Sequence, residues 1–389
     1  MMKLLMRFLR ASASLKLTIF CLSAALVLVF AGTLAQVKMG LYLVQEAYFQ
    51  SWIVWWTAPS GNFSIPAFPG GHLIGALLLI NLIASLITRH IWSWKKLGIQ
   101  LIHVGIIIML AGGLATDLFS VHSFMRIKEG ETKNYSEDSV RMELALIDHS
   151  DPEAEQVTAI AGERLADGGT IKHEALPFRI EIRGFYRNSG LQMISAQGGA
   201  AVPASTMGTG KRLAVKSLPR ATRMDERDVM SAVIEIIPEG GQSLGTWLVS
   251  DSLAAAQEIE IAGSRWSVQM RPARYYNPYS LELLDFTHET YPGTQIPKNF
   301  SSKLNLVDAE NNDSRQVLIY MNNPLRHQGA TYYQSGFEPD NSGTVLQVVR
   351  NPGYQAPYIA CVIVSLGLIY QFSIHLIGFA RRRKTSTAP

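Results

Sequence analysis

The chain is poor in cysteine and in charge. Two cysteines, Cys21 and Cys361, occur among its 389 residues, and both lie in apolar runs. The absence of any CxxC or CxxCH motif excludes a thioredoxin-like reductase, a c-type cytochrome and a disulfide scaffold. Charged residues make up 17% of the chain and the net charge is +4, so nothing indicates a nucleic-acid partner.

The sequence also lacks the common catalytic signatures. It contains no Walker A phosphate loop, GxSxG elbow, HExxH zinc motif or EF-hand loop. Carboxylates are scattered, and no pair has a spacing that fixes two acids together. No self-contained active site and no catalytic residue are therefore predicted, and whether the chain is an enzyme on its own stays open.

What the sequence has instead is long apolar runs. Hydrophobic residues make up 48% of the chain. Because a bilayer core needs roughly 20 apolar residues of helix, we predict four membrane spans, at residues 17–36, 71–92, 97–117 and 356–380. The first resembles a signal peptide, but it exceeds the roughly 7–15 apolar residues of one. We therefore interpret it as an uncleaved span.

Basic residues are sorted by segment. They mark the tail at 1–16, the turn between the second and third spans and the tail at 381–389, whereas the tryptophan-rich loop at 37–70 has Lys38 alone. The positive-inside rule then places both termini in the cytoplasm. We expect a multi-pass protein of a bacterial inner membrane, with the loop and residues 118–355 in the periplasm.

Residues 118–355 carry the alternation of apolar and polar residues that is typical of strands. Examples are "VRMELALID", "FRIEIRGFY" and "SAVIEIIPEG". "SAQGGAAVPASTMGTGKR", residues 195–212, is predicted to be a surface loop. The predicted fold class is an α-helical membrane protein with four transmembrane helices and a large all-β periplasmic domain inserted between helices 3 and 4. That domain is either a β-sandwich or a pair of β-lobes.

One titratable residue, His103, lies inside the uncharged run "LGIQLIHVGIIIMLAGGLAT". A buried polar ring without a partner costs several kcal/mol, so an intramembrane histidine is a functional-site candidate by default. A neutral imidazole is also a common axial ligand of haem iron. Two interpretations stay open here: a haem ligand, or a histidine that is hydrogen-bonded to a neighbouring helix.

The glycines of the same run, at 98, 105, 112 and 113, keep the helix slim, so that either a flat cofactor or another helix can approach closely. His72 follows "FPGG" at the start of the second span, and it is either an outer ligand or an interfacial histidine. "YFQSWIVWW" is either an interfacial aromatic belt or an apolar shelf. We interpret the other histidines as interfacial or surface residues.

Two regions carry a family resemblance. "NPLRHQGATYYQSGF", followed by "NPGYQAPY", precedes the last span, while "SWIVWW", "IPAFPGG", "NLIAS" and "LGIQLIHVGIIIMLAGGL" accompany the first three spans. These stretches resemble the ResB (CcsB) family of cytochrome c biogenesis proteins. Residues from about 150 to 275 match that family only vaguely.

The resemblance implies a subunit of the system II cytochrome c synthase. With a CcsA (ResC) type membrane partner, such a subunit handles and exports haem and supports its thioether attachment to CxxCH motifs of apocytochromes c. The resemblance further implies haem b as a transient, shared cofactor, and His103 as the iron ligand. His72 is a second cofactor-binding candidate because of its position at the start of the second span, not because of the resemblance. Membrane lipid is a partner, and thiol-reducing proteins of the ResA/CcsX and CcdA/DsbD types are indirect ones.

A second interpretation comes from another class of protein. The chain is then a four-span envelope transporter or assembly-scaffold subunit with a periplasmic β domain. That interpretation predicts no haem, and an ATPase or a transported substrate as partner.

Overall fold

The computed structural model describes residues 2–58, 63–88, 93–151, 154–194, 202–221, 227–261, 263–294 and 297–386. These residues divide into two compact units. The helical unit contains the described residues before 121 and after 350. The β unit contains those of 121–221 and 227–350.

Seven α-helices are found in the described residues. They are Met2–Ser12 (α1), Leu15–Met39 (α2), Leu41–Val44 (α3), Gly71–Thr88 (α4), Leu97–Phe119 (α5), Gly162–Ala166 (α6) and Ala356–Ser386 (α7).

Four helices, α2, α4, α5 and α7, are long and apolar enough to cross a membrane. They correspond to the four predicted spans, with shifted ends. The first begins at Leu15, because Ser14 caps it by accepting a hydrogen bond from the backbone N–H of Lys16 at 3.2 Å. The second ends at Thr88, and the predicted residues 89–92 lie outside the described ones. The last continues beyond residue 380.

Helices α5 and α7 pack closely along a glycine seam of Gly98, Gly105 and Gly112, which recur every seven residues on one face of α5. A Cβ at Gly105 would lie 2.5 Å from Cγ2 of Val364, and one at Gly112 would lie 2.2 Å from Cβ of Ala356. At these three glycines the group that approaches α5 is therefore another helix and not a flat cofactor.

The loop before α4 is a small built structure. A π-helical turn, Gln45–Phe49, leads to an antiparallel hairpin of Ile53–Thr57 (β1) and Ser64–Pro69 (β2). Gly70 and Gly71 then pass so close to the backbone of the preceding residues that a Cβ would lie 2.1 Å from Ser51 O and 2.3 Å from Phe49 O. The "PGG" sequence is what lets α4 start against this loop.

The β unit contains sixteen described strands. They are Val121–Lys128 (β3), Thr132–Asp148 (β4), Gln156–Ala161 (β5), Gly169–Ile171 (β6), Phe178–Tyr186 (β7), Ser189–Met193 (β8), Leu213–Ser217 (β9), Ser231–Pro238 (β10), Thr246–Ser250 (β11), Gln257–Ile261 (β12), Ser264–Thr290 (β13), Pro297–Asp308 (β14), Asp313–Tyr320 (β15), Leu325–His327 (β16), Ala330–Phe337 (β17) and Gly343–Arg350 (β18).

These strands build two lobes that share the long strands β4 and β13. In the sandwich lobe, the sheet β11-β10-β7-β6 covers the paired strands β5, β4, β13 and β12 over a core that includes Leu144, Ile234 and Trp266. In the curled lobe, the order β15-β14-β13-β4-β3-β18-β17-β16 surrounds a second core that includes Leu304 and Tyr332. Of the predicted alternatives, the pair of lobes is found. In chain order the β unit follows α5 and precedes α7.

The segment 195–212, which was predicted to be a surface loop, is partly buried. Residues 195–201 lie outside the described residues. Within residues 202–212, two positions pack closely: Ser205 is buried, and a Cβ at Gly210 would lie 2.7 Å from Cβ of Leu248 on β11. The prediction of a surface loop was wrong for these two residues, because small side chains permit close packing as well as flexibility.

Candidate functional site

A polar cluster joins α4, α5 and the loop before α4. Nε2 of His72, in the first turn of α4, lies 2.6 Å from Oδ2 of Asp117 near the end of α5. Oδ1 of the same carboxylate accepts a hydrogen bond from Nε2 of Gln50 at 2.9 Å. The ring of Trp52 lies 6.0 Å from that of His72. We call these four residues the mouth cluster.

The mouth cluster caps a cavity of about 710 Å³ between α4 and α5. Its walls are small or apolar and include Gly75 and Leu79 of α4 and Leu110, Gly113 and Leu114 of α5. A Cβ at Gly75 or Gly113 would meet nothing within 4 Å. Glycine therefore has opposite roles on α5, because Gly112 lets α7 approach whereas Gly113 opens onto empty space.

His103 lies deeper along α5 and its ring is held by its own helix. Nδ1 of His103 is 2.7 Å from the carbonyl oxygen of Ile99, one turn earlier. Since that carbonyl only accepts, Nδ1 carries the proton and Nε2 carries the lone pair. The ring is thereby fixed in the tautomer that a metal ligand needs.

His103 faces away from the glycine seam. At 3.6 residues per turn it lies roughly 150° around the helix from Gly98 and Gly105. It shares its face with Leu110, Leu114 and Asp117, and Asp117 is about 21 Å further along the axis. The mouth cluster and His103 are therefore two separate places on one face of α5.

The two predicted cofactor ligands differ in how well they suit haem iron. His103 offers an unprotonated Nε2 that has no hydrogen-bond partner among the described residues. His72 has its Nε2 in the bond to Asp117, so an iron bond at that atom requires the pair to break. The chemistry of the donor atoms therefore fits an iron ligand better at His103, and His72 as a ligand stays a prediction.

A second Asp–His pair lies in the curled lobe. Oδ2 of Asp308 accepts from Nε2 of His327 at 2.8 Å and from Nε2 of Gln328 at 2.6 Å. The side chain of Asn311 also donates to Oδ2, at 3.0 Å, and the backbone N–H of Asn311 donates to Oδ1 at 3.1 Å. These donors, with Asn311 first, hold the pKa of the Asp308 carboxyl well below its usual range.

This second pair was not predicted from the sequence. Its one local signal is the turn composition of "AENNDS" directly after Asp308, because an aspartate three residues before an asparagine favours a turn of this kind. His327 was interpreted as a surface or turn histidine. It lies next to a turn, at the end of β16, but its side chain is only 11% exposed and packs edge-on against Tyr279 with ring centroids 4.6 Å apart.

The "NPLRHQGATYYQSGF" motif builds the curled lobe. Tyr332 is fully buried and its hydroxyl lies 2.7 Å from that of Tyr279. Gln334 of β17 links two strands that are not paired with each other, since it accepts from Ser302 Oγ of β14 at 2.7 Å and donates to Thr344 Oγ1 of β18 at 2.8 Å. Gly329 has a φ of +76° in the turn between β16 and β17. The motif is therefore sheet architecture.

No group of three or more His, Cys, Asp or Glu side chains suitable for a metal ion occurs in the described part of the chain. The histidines interpreted as interfacial or surface residues do not converge on the mouth cluster. His375 pairs with Gln371 on α7, and His149 with Ser267 in the β unit. His90 lies outside the described residues.

Comparison with known proteins places the family signal in the β unit. The ResB-like family matches residues 236–345, which run from the end of β10 into β18 and contain most of the curled lobe. Protein NrfI of Wolinella succinogenes is 32% identical over 93 residues, which are 24% of this chain and 10% of NrfI. The aligned segment thus spans about a tenth of that relative's length. The mouth cluster and His103 lie outside the family match.

Proposed function

We propose that this chain, a ResB-like protein over residues 236–345, serves cytochrome c biogenesis as the haem-handling subunit of a system II cytochrome c synthase. The family match is the observation that carries the proposal. Four helices able to cross a membrane and a large β unit support it, since a subunit of this kind needs both a membrane portion and a water-facing domain.

The proposal places the β unit and the β1–β2 hairpin in the periplasm and both termini in the cytoplasm, as the basic residues predict. His103 then lies in the cytoplasmic half of its span, where haem made in the cell enters the membrane. A CcsA (ResC) type membrane protein is the proposed partner, and apocytochromes c with reduced CxxCH motifs are the acceptors.

The chain's own contribution is to hold a ligand atom in a fixed direction. Ile99 keeps Nδ1 of His103 protonated, so that Nε2 can donate its lone pair to iron. The glycine seam fixes α5, the helix that carries His103, against α7. Haem, when bound, supplies the vinyl groups that form thioether bonds with the two cysteine thiols of the acceptor.

The test is a visible spectrum of the full chain purified together with its CcsA-type partner. We expect a Soret band that is lost or shifted in His103→Ala, and restored when imidazole is added to His103→Gly. His375→Ala is the matched control, because His375 is another histidine in a helix able to cross a membrane and its ring is bonded to Gln371. It should leave the band unchanged.

Two results would contradict the proposal. A Soret band that is identical in His103→Ala removes the ligand assignment. The function itself is contradicted by two observations made together. The complex carries no haem, and a strain without it keeps the wild-type level of covalent haem in its c-type cytochromes on a haem-stained gel.

A further inference from the structure

The α4–α5 cavity is not lined by His103, the proposed ligand of haem iron. Its composition is nevertheless that of a binding site. Glycine and aliphatic walls lead to one polar end, which is formed by Asp117, His72 and Gln50. Sites for small amphiphilic molecules combine these two features.

Most of the hydrogen-bonding sites that remain unused in the mouth cluster are acceptors. A carboxylate has about four lone-pair sites, and the two bonds from His72 and Gln50 occupy one on each oxygen of Asp117. His72 donates to Asp117 through Nε2, and in the neutral form of the ring Nδ1 is then an acceptor. Gln50 adds its amide oxygen and one remaining amide proton. A molecule that completes this cluster must chiefly donate hydrogen bonds.

This requirement selects among the heads of membrane amphiphiles. A phospholipid phosphate or a haem propionate would bring a negative charge beside Asp117, which is unfavourable in a partly buried site. Asp117 and His72 are only 26% and 21% exposed. A neutral head with hydroxyl groups matches the acceptors without repulsion.

We propose that the α4–α5 cavity binds a membrane quinol. Its two ring hydroxyls donate to Asp117 and His72, and its aromatic ring lies beside Trp52, whose ring is already 6.0 Å from that of His72. The tail follows the space left by Gly75 and Gly113 between the helices. The proposal concerns binding alone and stands independently of the haem role.

The experiment measures binding of tritiated decylubiquinol to the full chain in phosphatidylcholine nanodiscs, by scintillation proximity under anaerobic conditions. We expect saturable binding that empty nanodiscs lack. Unlabelled decylubiquinol should displace the label about tenfold more effectively than decylubiquinone, because the oxidised ring has only carbonyl acceptors. Saturation in the presence of excess phospholipid shows that lipid heads do not compete.

Two kinds of variant test the site. Gly113→Phe and Gly75→Leu place a side chain in the cavity at positions where an added Cβ meets nothing within 4 Å, so they should fold and abolish saturable binding. Asp117→Asn, which loses acceptor strength, should weaken binding about tenfold. Gly378→Phe is the matched control, since Gly378 on α7 also has open space around it and lies outside the cavity. It should bind as the wild type does.

The quinol assignment is overturned if the quinone displaces as well as the quinol, if Gly113→Phe and Gly75→Leu both bind normally, or if bound label merely follows the lipid. The Soret band of the complex with its CcsA-type partner separates the two proposals. Gly113→Phe should retain it, because Gly113 is ten residues, or about 15 Å, from His103.

Discussion

The helical unit and the curled lobe of the β unit each contain an Asp–His pair that a glutamine completes. In the helical unit, His72 and Asp117 are 2.6 Å apart with side chains 21% and 26% exposed. In the curled lobe, His327 and Asp308 are 2.8 Å apart with side chains 11% and 0% exposed. The same residue types therefore occur once beside a cavity and once inside a packed sheet.

The difference lies in how many acceptor sites remain. Asp308 receives four hydrogen bonds, three on Oδ2 and one on Oδ1, and its side chain is 0% exposed, so a ligand does not reach it. Asp117 receives two. A saturated carboxylate stabilises its turn, whereas a half-saturated one at a cavity can bind a further donor. The inventory of hydrogen bonds, rather than the pair itself, separates structure from binding.

The largest difference between the two pairs is expected when the histidine is removed. We expect His327→Ala to lower the free energy of unfolding by about 3 kcal/mol, because it leaves a buried carboxylate short of a donor and Tyr279 without its ring partner. His72→Ala should cost less than about 1 kcal/mol, since water reaches Asp117. In urea, loss of the sheet circular-dichroism signal of the full chain measures the cost of His327→Ala, and loss of the helical signal measures that of His72→Ala. Equal losses would contradict this distinction.

The second-largest effect is expected from acid, which should lower the stability of the curled lobe. Because the folded pKa of Asp308 lies below its ordinary value, its ionised form stabilises the fold fully above the ordinary carboxyl pKa of about 4, and this stabilisation is lost as the pH falls further. The stability gap between the wild type and Asp308→Asn should then be constant from pH 7 to 5 and shrink below pH 4.

Thermal melts across that pH range provide the measurement. Asn311→Ala removes the donor that contributes most to the lowered pKa, so its stability should begin to fall at a higher pH than in the wild type. Parallel curves for the wild type and Asp308→Asn down to pH 2 would show that the carboxylate is not the cause.

Hydropathy and alternation predicted the architecture well, because both are local properties of the sequence. Four apolar runs became four helices, and "VRMELALID" became part of β4. Long-range relations could not be predicted in this way. His72 and Asp117 are 45 residues apart in the sequence, and no local pattern indicates that Gly112 meets α7 while Gly113 faces a cavity.

The sequence predicts that His103 lies within an apolar run, but it does not predict which nitrogen of the ring carries the proton. The bond from Nδ1 to the carbonyl of Ile99 depends on the side-chain rotamer. His327 was misjudged for a related reason. Its burial follows from the closure of the curled lobe, which brings β15 near β16 and β17, and the alternation pattern of one strand holds no information about closure.

The glutamines give the smallest and most closely matched test of the comparison. Gln50 and Gln328 each donate from Nε2 to the aspartate of their pair, at 2.9 and 2.6 Å. Methionine keeps the length of the side chain and removes the amide. We expect Gln328→Met to lower the free energy of unfolding by about 1.5 kcal/mol, because a buried charged acceptor loses a donor that water cannot replace.

Gln50→Met should cost about 0.5 kcal/mol or less, since water can take the place of the lost amide at the exposed mouth. The shift of the urea midpoint at constant slope measures both variants. A cost at Gln50 as large as that at Gln328 would mean that Asp117 is as closed to solvent as Asp308. The cavity would then lack the unused acceptors on which quinol binding depends.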